Sequence, residues 1–181
     1  MDRIKNSYSI LVVEDDDKIA RILMMYLGLY SKFTHVVHAS DGVQAMLKLG
    51  NQEFDLVITD LSMPKRDGLD FIDTLRKIPK YASQKVIVIS GCLTQEKTQE
   101  CIKRSVRHII VKPFTARQIL FKTIGLLRAE EFPRTAVDQI LEKTAKRFLE
   151  RNNDSQMAIL SEPQDEFGNV LETLIDFEDD K

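Results

Sequence analysis

The chain has 181 residues, 43% hydrophobic and 30% charged, a balance that suits one well-buried domain with an appendage and excludes wholesale disorder. The formal net charge of −2 conceals an asymmetry: residues 1–129 hold 20 Lys+Arg against 14 Asp+Glu, whereas residues 152–181 are strongly acidic, with Lys181 as their one basic side chain. No apolar run approaches the roughly 18 residues that a bilayer span needs, and Met1-Asp2-Arg3-Ile4-Lys5-Asn6 lacks an apolar leader, so a cytoplasmic protein with no membrane partner is expected.

Ser9-Ile10-Leu11-Val12-Val13 is a compact run of mostly branched residues, the pattern of a strand buried on both faces. It ends at Glu14-Asp15-Asp16-Asp17, after which Ile19, Ile22, Leu23 and Tyr26 follow at helical spacing. Phe33 to Ala39 reads as a second strand, and Ser40 is the expected N-cap of a helix holding Val43, Ala45, Met46 and Leu47. Asp55-Leu56-Val57-Ile58-Thr59 is a third strand that runs into Asp60. A loop from Leu61 to Gly68 leads to a helix with Leu69, Ile72 and Leu75 on one face. Val86-Ile87-Val88-Ile89 forms a fourth strand, a helix follows from about Thr94 to Arg104, and Ile109-Ile110-Val111 is a fifth strand closed by Lys112-Pro113. Ala116 to Leu127 completes the series as a helix. Strands alternating with helices in this way imply a parallel sheet covered on both faces.

Beyond it, residues 134–151 predict another amphipathic helix, with Val137, Ile140, Leu141, Phe148 and Leu149 on one stripe. Asn152 to Pro163 reads as a linker, and Phe167, Val170, Leu171, Leu174 and Ile175 briefly repeat the helical spacing. Cys92 and Cys101 have no metal-ligand or CxxC spacing and are expected to be reduced and inert. His35 and His38 lie an odd number apart on a strand and face opposite ways, so they do not form a shared metal site.

Glu14 and Asp15 follow the first strand, Asp60 the third, Ser90 the fourth and Lys112 the fifth. In an open parallel sheet these positions converge on the crevice outside the carboxyl ends of the strands. Three carboxylates packed together repel one another, and a hard divalent cation with oxygen ligands relieves this; magnesium fits. A lysine charge and a serine hydroxyl suit an incoming phosphoryl group, which a carboxylate, already ionised at neutral pH, can accept without a separate base. Singly, each residue has a plainer reading: a helix N-cap for Asp15 or Asp16, a loop serine, a surface lysine. The coincidence of all five at strand ends outweighs those readings.

The segments Leu11-Val12-Val13-Glu14-Asp15-Asp16, Thr59-Asp60-Leu61-Ser62-Met63-Pro64 with Asp67-Gly68, Val88-Ile89-Ser90-Gly91 and Val111-Lys112-Pro113-Phe114 resemble the receiver domains of two-component signalling. The resemblance covers residues 8 to about 129. It implies a flavodoxin-like, doubly wound five-stranded parallel sheet of order 2-1-3-4-5. Residues 1–129 would then be the receiver domain, and 130–181 an acidic helical extension that matches no recognised output domain. It also implies that Asp60 is the phosphoacceptor and that Asp15 and Asp60 ligate Mg2+ directly. Glu14 would hold the metal through water, and the backbone carbonyl of Ser62 would complete the protein ligands. Ser90 would bond the phosphoryl group, Lys112 would pair with its oxygens, and the Lys112-Pro113 peptide would be cis. Such a domain catalyses its own phosphorylation and dephosphorylation and is not a conventional enzyme.

Two positions depart from the family pattern. Ile109 stands where an aromatic residue is usual, so the switch is expected to run through the loop after the fourth strand, around Cys92 and Leu93. Ser105-Val106 replaces a usual Gly-Ala pair before the last strand. The partners implied are a sensor histidine kinase and a downstream protein target, with a homodimer as a further option. Three outputs stay open: a phosphorylation-switched interaction surface, a phosphorelay step onto a histidine protein, and a transcription regulator with an atypical output segment. The last ranks lowest, because an extension with one basic residue in its final 30 is the wrong electrostatics for nucleic acid. The extension is a regulatory element, or it simply covers an apolar patch.

Overall fold

A computed structural model describes residues 5–63, 68–92 and 94–153, with side chains placed up to residue 147. Five parallel strands, β1 (Tyr8–Val13), β2 (Phe33–Ala39), β3 (Leu56–Asp60), β4 (Val86–Ser90) and β5 (His108–Val111), form one sheet of order β2-β1-β3-β4-β5. Between and after them run α1 (Asp17–Gly28), α2 (Gly42–Asn51), α3 (Gly68–Lys77), α4 (Gln95–Lys103), α5 (Ala116–Leu127) and α6 (Pro133–Asn153). The flavodoxin-like, doubly wound architecture and the strand order expected from the sequence are both present.

The period-2 geometry of the strands divides the core in two. Ile10, Val12, Leu56, Ile58, Ile87 and Ile89 point to the face covered by α1 and α5. Leu11, Val13, Val57, Val86 and Val88 point to the other, against Ala45 and Leu49 of α2, Phe71 and Leu75 of α3, and Cys101 of α4. Each central strand is therefore buried on both sides, which is why it reads as a continuous apolar run.

Local chemistry sets the boundaries. Asp16 caps α1, its carboxylate accepting the Lys18 and Ile19 N–H groups at 2.8 and 3.2 Å. Asp41 caps α2 by accepting the Gln44 N–H at 2.8 Å. The expectation of Ser40 there is corrected: a carboxylate at the positive end of the helix is the stronger acceptor, and Ser40 lies one residue outside. The third strand begins one residue later than expected because the Asp55 carboxylate turns back to accept the Ser9 N–H at 2.9 Å. A short 3-10 turn at Pro79–Tyr81, absent from the sequence reading, precedes β4. Ser105 adopts φ 61°, the left-handed conformation that glycine favours, and Val106 is buried behind it. No helix among the described residues is long and apolar enough to cross a membrane.

The helix expected at 134–151 is α6, and its apolar stripe is buried against the same chain. Val137 and Leu141 join the core on the α1/α5 face, with Ile140 partly buried beside them. Arg117 of α5 pairs with Asp138 of α6 at 2.7 Å. Ahead of the helix, Glu130 accepts hydrogen bonds from Tyr30 and, at 2.8 Å, from Lys32. Phe148 and Leu149 lie beyond the placed side chains. α6 runs through Asn152 and Asn153, the first two residues of the expected linker, and the rest of that stretch lies outside the described residues. The stripe from Phe167 to Ile175 falls outside the described residues. Because Leu141 is only 3% exposed, Leu141→Ala removes core volume and is expected to lower domain stability by about 2–4 kcal/mol in urea denaturation. An unchanged midpoint would mean that α6 is not packed as described.

Candidate functional site at the carboxyl ends of the strands

The chain order reverses between β1 and β3, and the crevice at that switch point holds the candidate site. Asp60 is the last residue of β3, Glu14 and Asp15 follow β1, Ser90 ends β4 and Lys112 follows β5. Oxygen atoms of Glu14, Asp15 and Asp60 all lie within 4.8 Å of one another. The run Glu14-Asp15-Asp16 divides its labour. Glu14 is buried, Asp15 is exposed at the crevice, and Asp16 is spent on capping α1, with its carboxyl held below the ordinary range by the Ile19 and Lys18 amides.

Lys112 reaches in from the end of β5, the edge strand of the sheet. Its Nζ donates to Asp60 Oδ2 at 2.8 Å and to Glu14 Oε2 at 2.9 Å. Glu14 is 1% exposed and Asp60 6%, so this one ammonium compensates two nearly buried carboxylates. Burial pushes the Glu14 carboxyl above the ordinary range; the Asp60 charge adds to this, and the Lys112 hydrogen bond opposes it. Burial alone would lower the Lys112 pKa, but its hydrogen bonds to Asp60 and Glu14 outweigh that and hold it above the usual lysine value. The Lys112-Pro113 peptide is cis, as the resemblance implies.

The Ser62 N–H donates to Asp60 Oδ1 at 3.2 Å, which brings that residue to the site. Ser90 is buried, and its hydroxyl is engaged within its own loop: it donates to the Cys92 carbonyl at 2.9 Å and accepts the Cys92 N–H at 3.3 Å. The loop after β4 and the Ser90 hydroxyl are thus directly linked. Ile109 is partly buried against the α2/α3/α4 core, and Leu93 lies outside the described residues.

Two further residues support the site. His38, set aside as a metal ligand, bonds through Nε2 with the Glu14 carbonyl at 2.7 Å, which fixes the backbone beside a site carboxylate. Gly68 opens α3 directly behind Asp60, and its N–H donates to the Leu61 carbonyl at 2.9 Å. A Cβ there would stand 2.1 Å from the Asp60 carbonyl oxygen and 2.9 Å from Leu61 Cα. An Asp-Gly pair after a loop is the only signal for this in the sequence, and it does not reveal a close approach. Gly68→Ala must displace the Asp60 backbone, and with it the carboxylate that Lys112 holds at 2.8 Å. The expected result is a folded variant whose Asp60 and Leu61 backbone amide resonances shift relative to the parent. Unchanged resonances at both residues would remove this role for Gly68.

An α/β protein with an acidic, lysine-bridged crevice at its topological switch point is the class these features define. The sequence profile of the response regulator receiver domain matches residues 10–124, and the chain belongs to that family, the receiver domains of two-component signalling. It is 33% identical over 116 residues to chemotaxis protein CheY-3 of Vibrio cholerae, covering 62% of this chain and 86% of that one. A probable C4-dicarboxylate response regulator, DctR of Halalkalibacterium halodurans, is 29% identical over 110 residues. That match covers 61% of this chain and spans 47% of the relative's length. The structure of chemotaxis response regulator CheY4 of Vibrio cholerae superposes with a TM-score of 0.60 at 26% identity, covering 67% of this chain and 98% of that one.

Proposed function

We propose that this chain is a response regulator whose Asp60 accepts a phosphoryl group from a sensor histidine kinase with Mg2+ as cofactor, and that the modification switches a surface read by a downstream protein. The observation that carries this reading is the convergence of Lys112 on Asp60 and Glu14, with Asp15 completing an acidic set at the switch point. In the transfer, an Asp60 carboxylate oxygen bonds to phosphorus as the bond from phosphorus to the donor imidazole nitrogen breaks. Lys112 offsets charge on the phosphoryl oxygens, and the Ser62 N–H helps hold the Asp60 carboxylate in place. Release of Ser90 from Cys92 frees a hydroxyl for the modified aspartate and moves the loop after β4.

The donor set fits a hard divalent cation: three carboxylates close together, two nearly buried, with one ammonium between them. Asp15 and Asp60 would hold it directly, Glu14 through water, and the Ser62 carbonyl would complete the set. The cation supplies charge neutralisation for an approaching phosphoryl group. The phosphoacceptor domain occupies residues 1–129 in this reading, and 130–181 is its extension. Incubation with acetyl phosphate should give an acid-stable, base-labile adduct only when Mg2+ is added. A magnesium-independent adduct, or none, would defeat the proposal.

A further inference from the structure

The two margins of the sheet are unequal. β5 has four residues and runs directly into Lys112 and Pro113, whereas β2 has seven, the most of any strand. Among the described residues, β1 is the one strand paired with β2. Edge strands are usually guarded against pairing with another chain by charged side chains, proline, bulges or brevity. The β2 sequence, Phe33-Thr34-His35-Val36-Val37-His38-Ala39, holds no lysine, arginine, carboxylate or proline. Its one register irregularity falls at its start, opposite Tyr8 and Ser9.

The ladder fixes which peptide groups face outward. The Glu14 N–H donates to the Ala39 carbonyl at 3.1 Å, so Ala39 turns its backbone groups toward β1. Successive residues of a strand alternate in this respect. His35, Val37 and Ala39 therefore bond inward, and Val36 and His38 direct N–H and C=O away from the sheet. The side chains of this stretch are engaged: Val36 packs partly against the α1/α5 core, Val37 against the α2/α3 core, and the His38 ring bonds to the Glu14 carbonyl. The strand is held from both faces while its outer backbone is unpaired among the described residues. Its ends carry opposite charges. Lys32 precedes it, paired with Glu130 at 2.8 Å, and Asp41 follows it, with Oδ1 accepting the Gln44 N–H.

We propose that the β2 margins of two copies of this chain pair antiparallel across a two-fold axis at Val37, joining their sheets into one. Val36 of each copy and His38 of the other then form the hydrogen-bonded pairs, so the outward N–H groups of both residues find acceptors. Charge selects this occupant and this direction. Antiparallel pairing brings Lys32 of each copy alongside Asp41 of the other, whereas a parallel arrangement would set like charges side by side. The strand between them carries no formal charge to repel its own copy. The contact is isologous and closes at two chains. Because the strands of the two copies run in opposite directions, their crevices lie at opposite ends of the joined sheet and neither covers the other. The proposal does not depend on phosphoryl chemistry, so its failure leaves the Asp60 reading intact.

Sedimentation equilibrium and amide hydrogen exchange of the full chain, each at low and high protein concentration, test this together. The mass should rise toward that of two chains with concentration, and the Val36 and His38 amides should exchange at least about tenfold more slowly in the dimer. Val37→Lys sets two ammonium groups opposite each other on the axis and should weaken the dimer at least about tenfold. Val37→Thr, similar in shape and uncharged, should dimerise nearly as the parent does. The exchange measurement uses the unaltered chain, so it decides the matter even where Val37→Lys does not fold. A chain that stays monomeric, with fast exchange at Val36 and His38, would overturn the proposal. So would a dimer that leaves those two amides fast, or one indifferent to a folded Val37→Lys.

Discussion

Asp60→Asn is expected to reduce labelling by acetyl phosphate to background, because a neutral amide cannot supply the nucleophilic carboxylate oxygen. The variant should still fold. Lys112 keeps its bond to Glu14 Oε2 at 2.9 Å, and removing the neighbouring Asp60 charge takes away one of the influences that raise the Glu14 pKa. Magnesium should bind more weakly, because one of three clustered carboxylates is gone. Intact mass after incubation with acetyl phosphate checks the first expectation, and calorimetric titration with Mg2+ checks the second. Labelling of Asp60→Asn at the parental level would mean that another residue is the acceptor.

Lys112→Ala separates charge stabilisation from metal binding. The lysine is not a ligand, so the variant should keep or improve its magnesium affinity while labelling about a hundred- to a thousandfold more slowly. Without metal it should be markedly less stable, since two nearly buried carboxylates lose the cation that pairs with both among the described residues; breaking such a pair costs about 3–5 kcal/mol at most. Part of that cost is relieved by protonating Glu14, whose pKa burial already raises and which loses the opposing Lys112 hydrogen bond. A carboxyl whose pKa is raised by folding stabilises the fold below its ordinary value, 4.5 for this group, and that contribution is lost as pH rises through the folded pKa. The metal-free variant should therefore lose stability more steeply than the parent as pH climbs from 4.5 toward neutrality, and Mg2+ should restore it. Loss of metal binding, or parallel pH profiles for the two proteins, would overturn this role.

The sheet was legible because its central strands are buried on both faces and so appear as short branched runs, from Ile10-Leu11-Val12-Val13 to Val86-Ile87-Val88-Ile89. The crevice residues were legible for a topological reason: a parallel sheet gathers the residues that follow its strands. Contacts decided by the path of a neighbouring backbone were not legible. Nothing around Gly68 announces that it lies against the Asp60 carbonyl, and His38 bonds to a main-chain oxygen whose position depends on the β1–β2 pairing. Competition between adjacent residues was equally hidden, as at Ser40 and Asp41, where the stronger acceptor takes the cap. The periodicity of α6 showed that a stripe must be buried; only the packing shows that α5 and the α1 side of the core receive it.

Asp60, held by Lys112 beside Glu14 and Asp15, is the proposed phosphoryl acceptor. Mapping the modified residue in the parent chain after incubation with acetyl phosphate and Mg2+ tests it most directly, by borohydride reduction of the acyl phosphate and sequencing of the peptides. Conversion confined to Asp60 is the predicted result. Conversion at Asp15 or at any residue outside the crevice, with Asp60 unmodified, would contradict it.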